Sequence, residues 1–293
     1  MEILKTTEAA YAKVNLHLEI TERRPDGYHE IDTVMQTVSL CDEVSVEIAR
    51  DERAEMTLTC SRADIPTDEN NIACKVARAF LSAIGREKDS VCIHIEKRIP
   101  VAAGLGGGSA DGAAVLRALN RLYGYPLTKE ALCSLATPLG ADIPFCIMGG
   151  CRRATGIGEI FSPAKSLPAD TVLVIAMGKM GSNTARAYGK IDEQNGKKSL
   201  ISSEKMLRSL EMGADAVASA LYNRFEEVIL PENADASAIR RTLRIAGAKG
   251  SLMSGSGASV FGIFDDGEKA EQAVELLRQK DFFATTAHPI PKL

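Results

Sequence analysis

The sequence predicts an α+β fold divided into two domains, and three observations carry that expectation. The chain has 293 residues, more than the roughly 100–200 of one ordinary domain. Alternating apolar strands come first and helices follow, whereas a doubly wound sheet would interleave the two from the start. A Pro- and Ser-containing stretch from Ser162 to Asp170 reads as a linker.

The first third is built of strands. In Val14, Leu16, Leu18 and Ile20 the apolar residues alternate, so Lys13, Asn15 and His17 share the opposite face. Val44, Val46 and Ile48 repeat the pattern, as do Val91, Ile93 and Ile95. Ile72, Val76, Ala79, Phe80 and Ala83 recur at helical spacing and predict a helix over 71–84. A second helix is expected from Ser109 to Gly124, with Ala113, Leu116, Leu119 and Leu122 on its apolar face and Gly124 just past its end. Gly149-Gly150 and a short strand close this half. Thr171–Met177 then reads as a buried strand. Helices are expected near 183–191, 203–210, 213–229 and 235–246, then a turn at Ser254–Gly257 and a strand over Ser259–Phe264. A helix near 267–279 and a strand near Phe282–His288 end the chain.

Composition narrows the function classes. Lysine plus arginine number 35 and aspartate plus glutamate 39, a net charge of −4. A mildly acidic chain without a long basic run argues against nucleic acid as partner. No apolar run is long enough to span a membrane, and Met1 to Glu8 lacks the pattern of a secretory signal. Seven cysteines without C-x-x-C spacing, several among apolar neighbours as in Val91-Cys92-Ile93, read as buried reduced thiols of a cytoplasmic protein.

The most informative segment is Pro100-Val101-Ala102-Ala103-Gly104-Leu105-Gly106-Gly107-Gly108-Ser109-Ala110, which follows a strand and opens a helix. Its glycines let backbone N–H groups turn inward, and the helix dipole behind them favours an anion. A polyphosphate suits such a cradle. Ser109 is suited to cap the helix or to meet a phosphate or magnesium ion. The loop is not a Walker A sequence, and glycine is missing where a dinucleotide fingerprint needs it.

With these residues the sequence resembles the GHMP small-molecule kinases. Their phosphate loop has the form seen in Pro100–Ala110. Ala12-Lys13-Val14-Asn15-Leu16 matches a first motif, and Leu252-Met253-Ser254-Gly255-Ser256-Gly257-Ala258 a third. The match narrows through Arg24-Pro25-Asp26-Gly27-Tyr28-His29-Glu30-Ile31, the triple glycine, and Gly140-Ala141-Asp142-Ile143-Pro144-Phe145. These resemble members that phosphorylate the 2-hydroxyl of a cytidine-diphosphate-linked methylerythritol in non-mevalonate isoprenoid synthesis. The resemblance implies a ribosomal-protein-S5-like N-terminal domain, a ferredoxin-like C-terminal domain and a cleft between them. It divides the chain into an ATP-binding domain, 1–160, and a C-terminal domain, 161–293.

The roles it implies are as follows. Asp142 is the general base and Lys13 the cation that keeps it ionised and favours a developing alkoxide. ATP with Mg2+ is held by Pro100–Ala110, with Asn71 near the adenine; no side chain is assigned to the metal. Asn15, Tyr28, His29, Tyr188, Gly255, Ser256 and Gly257 meet the cytidine-diphosphate-linked polyol, with His29 on the cytosine edge. Tyr188 stacks on cytosine or packs its helix, and both readings stand. The chain departs from the family pattern at Asp111, Gly112 and Asn183. Oligomeric state is open between monomer and weak dimer. Two other readings also stand: a kinase of homoserine or mevalonate type, and a catalytically silent metabolite sensor on the same fold.

Overall fold

The computed structural model describes residues 3–193 and 201–293. The alternation around Val14–Ile20 continues on both sides, so β1 runs over Ile3–Arg23 and β2 over His29–Ala49. Between them the chain reverses at Gly27, whose φ of 91° suits glycine. There follow β3 (Met56–Cys60), α1 (Ile72–Ala83), β4 (Ser90–Glu96), α2 (Gly107–Leu122), α3 (Lys129–Ala136), α4 (Ile143–Met148), β5 (Cys151–Thr155) and β6 (Ile160–Pro163). The rest is β7 (Val172–Met177), α5 (Thr184–Glu193), α6 (Glu204–Met212), α7 (Ala214–Ala220), β8 (Tyr222–Asn223), α8 (Glu226–Ile229), α9 (Ala234–Ile245), β9 (Gly250–Met253), β10 (Val260–Phe264), α10 (Gly267–Arg278) and β11 (Phe283–Ala287).

Two compact units emerge, each made of several stretches of chain. The first holds Met1–Ala12, Cys41–Ile99 and Gly106–Met148; the second holds Lys13–Leu40, Pro100–Leu105 and Gly149–Leu293. Neither is residues 1–160 or 161–293 taken whole.

In the first unit, β2 and β4 run antiparallel with Val44 opposite Ile95, Val46 opposite Ile93 and Ile48 opposite Val91. Paired residues share a face, so the alternating apolar sets of both strands enter one core. Val76 and Phe80 of α1 and Leu116 and Leu119 of α2 are buried with them. Strand β3 adds to β4 in parallel. The α2 helix ends as expected: Gly124 has φ 76°, its N–H donates to Arg121 O, and Tyr125 N–H donates to Asn120 O. That pair of bonds satisfies two of the helix's last carbonyls. Cys92 corrects the expectation of buried thiols. It is exposed, because alternation in β4 points Val91 and Ile93 inward and the residue between them outward. Cys41, Cys60 and Cys133 are partly exposed.

In the second unit, a four-stranded antiparallel sheet has the order β11-β7-β10-β9. With α9 between β7 and β9 and α10 between β10 and β11, this is a β-α-β-β-α-β arrangement of ferredoxin-like type. Its core joins Val174, Ala176, Val260 and Phe264 to Ile239 and Leu243 of α9 and Val274 and Leu277 of α10. Nearer the start of the chain, β5 pairs antiparallel with β2, Thr33 opposite Ala154. Strand β8 runs parallel to β1, His17 opposite Tyr222.

One expected helix is broken. Residues 213–229 form α7, β8 and α8, because Tyr222 and Asn223 join β1 as a strand. The expected linker is shorter than 162–170, since Ser162 pairs with Arg153 in the β5–β6 hairpin.

Candidate active site

The glycine loop is a chain reversal followed by an uncapped helix start. Gly106 is the N-cap of α2, with φ 69° and no side-chain cap. The helix therefore begins at Gly107 rather than Ser109, and Ser109 is not its cap. The first α-helical bond runs from Ala110 N–H to Gly106 O, 2.8 Å. The N–H groups of Gly107, Gly108 and Ser109 lie in the first turn, where the dipole favours an anion. Gly140 of the G-A-D-I-P segment adjoins this turn, its Cβ direction 3.9 Å from Ser109 Oγ. Asp142 immediately precedes α4, is partly exposed, and accepts Cys146 N–H on its carbonyl.

Beneath the helix start lies a buried ion cluster that sequence reasoning missed, apart from Asp111. Lys97 Nζ donates to Asp42 Oδ2 at 2.5 Å and to Asp111 Oδ2 at 2.6 Å. Asp42 Oδ1 accepts the N–H groups of Arg98 and Ile99, at 2.5 and 2.7 Å. This fixes the strand exit that becomes the loop. A Cβ on Gly107 would stand 3.3 Å from Lys97 Nζ and 3.1 Å from Ile99 Cγ2. Burial pushes the Asp111 carboxyl up to about 7, with Lys97 pulling against it. Burial alone would lower Lys97, but Asp111 and Asp42 outweigh it and raise its pKa.

The first half of the loop packs on the third motif in the second unit. Ser254 Oγ donates to Gly104 O at 3.0 Å and accepts Asn15 N–H at 3.3 Å. Ser259 donates to Ala103 O from both N–H and Oγ. Gly255 is held through its carbonyl by Asn223 Nδ2, 2.8 Å, which also bonds Met253 O. Ser256 Oγ meets Thr184 Oγ1 at 2.7 Å, joining the motif to the start of α5. Gly257 donates its N–H to Ser254 O within the turn. Asn223 was not legible as a site residue because it sat within an expected helix.

Lys13 is buried, 4% exposed, on the polar face that the alternation predicts. Its Nζ donates to Asn15 Oδ1, 2.7 Å; Asn15 Nδ2 donates to Thr33 Oγ1, 2.9 Å; Thr33 Oγ1 donates to His17 O, 2.6 Å. A Cβ on Gly255 would lie 3.4 Å from the Lys13 ammonium. The Lys13 N–H donates to Leu105 O. The first motif, the loop and the third motif thus meet at Lys13, with Leu105 on its backbone N–H and Gly255 beside its ammonium. His17 continues the row; burial drives its pKa down to about 4.

His29, Tyr188 and Phe225 form an aromatic cluster. The His29 and Tyr188 rings stack at 4.5 Å and 18°, and Tyr188 meets Phe225 edge-on at 4.9 Å. Tyr188 therefore packs its helix on these rings. Tyr28 stands 61% exposed beside them in sequence, a free aromatic surface.

Asn71 caps α1: its Oδ1 accepts Ala73 N–H, and its Nδ2 donates to Pro66 O. The departures at two positions have local reasons. A Cβ on Gly112 would lie 2.8 Å from Ile72 Cγ2, so glycine lets α1 and α2 approach closely. Asn183 accepts Arg186 N–H on Oδ1 at 2.9 Å, the capping bond a serine would also supply.

Residues 71–150 match the family model of the GHMP kinases N terminal domain and residues 206–281 that of the GHMP kinases C terminal. A protein of Synechococcus sp. named 4-diphosphocytidyl-2-C-methyl-D-erythritol kinase is 42% identical, over 97% of this chain and 94% of its own. A crystal structure of 4-(cytidine 5'-diphospho)-2C-methyl-D-erythritol kinase superposes with TM-score 0.78 at 34% identity, covering 97% of this chain and 99% of the other. A homoserine kinase from Cytophaga hutchinsonii gives the same TM-score, 0.78, at 18% identity over 100% of this chain and 96% of its own, which shows the shared fold. With both family domains matched in order and a relative alike over nearly its whole length, the chain belongs to the GHMP kinases.

Proposed function

We propose that this protein transfers the γ-phosphoryl group of ATP to the 2-hydroxyl of 4-diphosphocytidyl-2-C-methyl-D-erythritol, in the non-mevalonate route to isoprenoids. The observation that carries this reading is the meeting of three motifs around Lys13, through the bonds of Asn15, Gly104, Ser254 and Leu105. Relatives alike over nearly their whole length bear the name of that kinase.

In this reading the N–H groups of Gly107, Gly108 and Ser109 hold the ATP phosphates, with Pro100–Ala110 as the loop and Asn71 near the adenine. The chemistry of the donors fits a polyphosphate: the first-turn N–H groups of α2 stand at the positive end of the helix dipole, and Gly104 and Gly107 let the loop that presents them pack closely on Ser254 and on Lys97 and Ile99. Magnesium, bound with ATP, offsets phosphate charge. Asp142 accepts the proton of the 2-hydroxyl as attack proceeds, and Lys13 stabilises the developing alkoxide. Transfer is direct and in line. Asn15 and the Gly255–Gly257 turn hold the polyol diphosphate. Tyr28 packs near the cytidine, His29 bonds the cytosine edge, and Tyr188, which packs on His29 and Phe225, is the ring that would stack on the cytosine. We read 1–160 as the ATP-binding part and 161–293 as the C-terminal part; the two family-model matches lie on either side of that boundary.

ADP release with ATP, magnesium and the cytidylyl polyol, run beside homoserine and mevalonate, tests the assignment. Turnover confined to the cytidylyl substrate is expected. Turnover with homoserine or mevalonate instead would move the protein to another member of its family, and silence with all three would favour a sensor.

A further inference from the structure

His29 is held by more than stacking. Its Nε2 lies 2.8 Å from Asp192 Oδ1, with the imidazole side chain 9% exposed. The other carboxylate oxygen of Asp192 faces Arg23, with Nη1 3.5 Å from Oδ2. Tyr188 covers one face of the imidazole. Among the described residues no hydrogen bond is made to Nδ1. The ring is thus fixed in plane and in rotation, with one nitrogen committed to a carboxylate.

A carboxylate is an acceptor only, so the neutral imidazole beside it carries its proton on Nε2 and offers a lone pair at Nδ1. The pyrimidine edges differ at this point. Cytosine presents an amino group beside N3, and uracil presents a carbonyl oxygen there. An acceptor at Nδ1 bonds the amino group and faces the carbonyl lone pair to lone pair. A buried polar group built for one partner rejects the analogue that leaves it unpaired far more strongly than an apolar pocket does.

We propose that Asp192 is a specificity-positioning residue that fixes His29 as a hydrogen-bond acceptor at Nδ1 and thereby selects a cytosine over a uracil diphosphate substrate. This rests on the cytidine reading of the site and deepens it. Asp192 acts through His29 and touches no reacting atom. Sequence reasoning missed it because a single carboxylate in a helix carries no signal until the fold brings it 163 positions back to His29.

Two measurements test it. Long-range proton–nitrogen NMR of the wild-type protein without ligand should report His29 with its proton on Nε2. In steady-state kinetics, the wild type should favour the cytidylyl substrate over its uridylyl analogue by about 100-fold or more in kcat/KM. Asp192→Ala should cut that preference by about 10-fold or more, through KM for the cytidylyl substrate, with kcat largely kept. Asp192→Asn, which retains an oxygen acceptor, should restore most of it. A proton on Nδ1 in the wild type, or an unchanged preference in Asp192→Ala, would overturn the proposal. No wild-type turnover with the cytidylyl substrate would sink the functional reading instead, while the NMR spectrum still decides the tautomer. If Asp192→Ala does not fold, the wild-type spectrum and Asp192→Asn decide.

Discussion

A Cβ on Gly104 would stand 2.0 Å from the carbonyl oxygen of Ser254, 150 positions along the chain. Backbone meets backbone there, at a φ of 74° that L side chains rarely adopt. Gly104→Ala should therefore push the loop off the third motif. We expect a loss of stability of about 2 kcal/mol or more and a fall in kcat/KM for both substrates. Gly124→Ala, where no atom lies within 4 Å of the added Cβ, should cost about 1 kcal/mol by φ alone and leave kinetics unchanged. Chemical denaturation and initial rates on both variants check this.

Asp111 makes stability depend on pH in an unusual direction. Its carboxyl titrates near pH 7 in the fold, against 3.8 as the ordinary value. Between those pH values the folded chain binds more protons than the unfolded one, so this group's contribution falls as pH rises and its cost is complete above 7. Asp111→Asn removes that slope. Its stability relative to wild type should rise from pH 5 to pH 8, measured by urea denaturation at each pH.

His17 acts with the opposite sign. Its folded pKa of about 4 lies below the ordinary 6.5, so the unfolded chain binds the extra proton. Stability from this group is present above pH 6.5 and is lost as pH falls through 4, about 3 kcal/mol in all. His17→Gln should flatten acid denaturation over that window, followed by circular dichroism.

Asn71 serves the helix directly. Asn71→Ala should cost about 1 kcal/mol by removing the cap on α1. Asn71→Asp keeps the acceptor and should recover stability. If the amide also meets adenine, the aspartate variant should still show a raised KM for ATP, which separates the two roles.

The alternation around Val14 and Val44 and the helical spacing in 71–84 were legible because each element buries one face, which imprints its period on the sequence. The GHMP motifs were legible because glycine and polar residues there answer backbone demands that admit few substitutes. What was not legible lacked a local signature. The α4 segment is six residues and buried from Ile143 to Ile147, so it has no polar face to set a period. Strand β8 has two residues and exists only because β1 offers its edge. Asp42 and Lys97 are ordinary charges in the sequence; the loop they steady identifies them only once folded. The turn at Ser254–Gly257 was read correctly as to place, but its partner Asn223 was hidden inside an expected helix.

The central claim is that phosphate is placed on the 2-hydroxyl of the cytidylyl polyol. That carbon also bears the methyl group and carries no hydrogen, so its phosphate ester has no proton three bonds away. Proton-coupled phosphorus NMR of the reaction mixture reads this directly. We expect one new phosphomonoester signal without three-bond proton splitting, beside intact diphosphate resonances, absent with Asp142→Asn. A split phosphomonoester signal, or ADP without any new ester, would contradict the account.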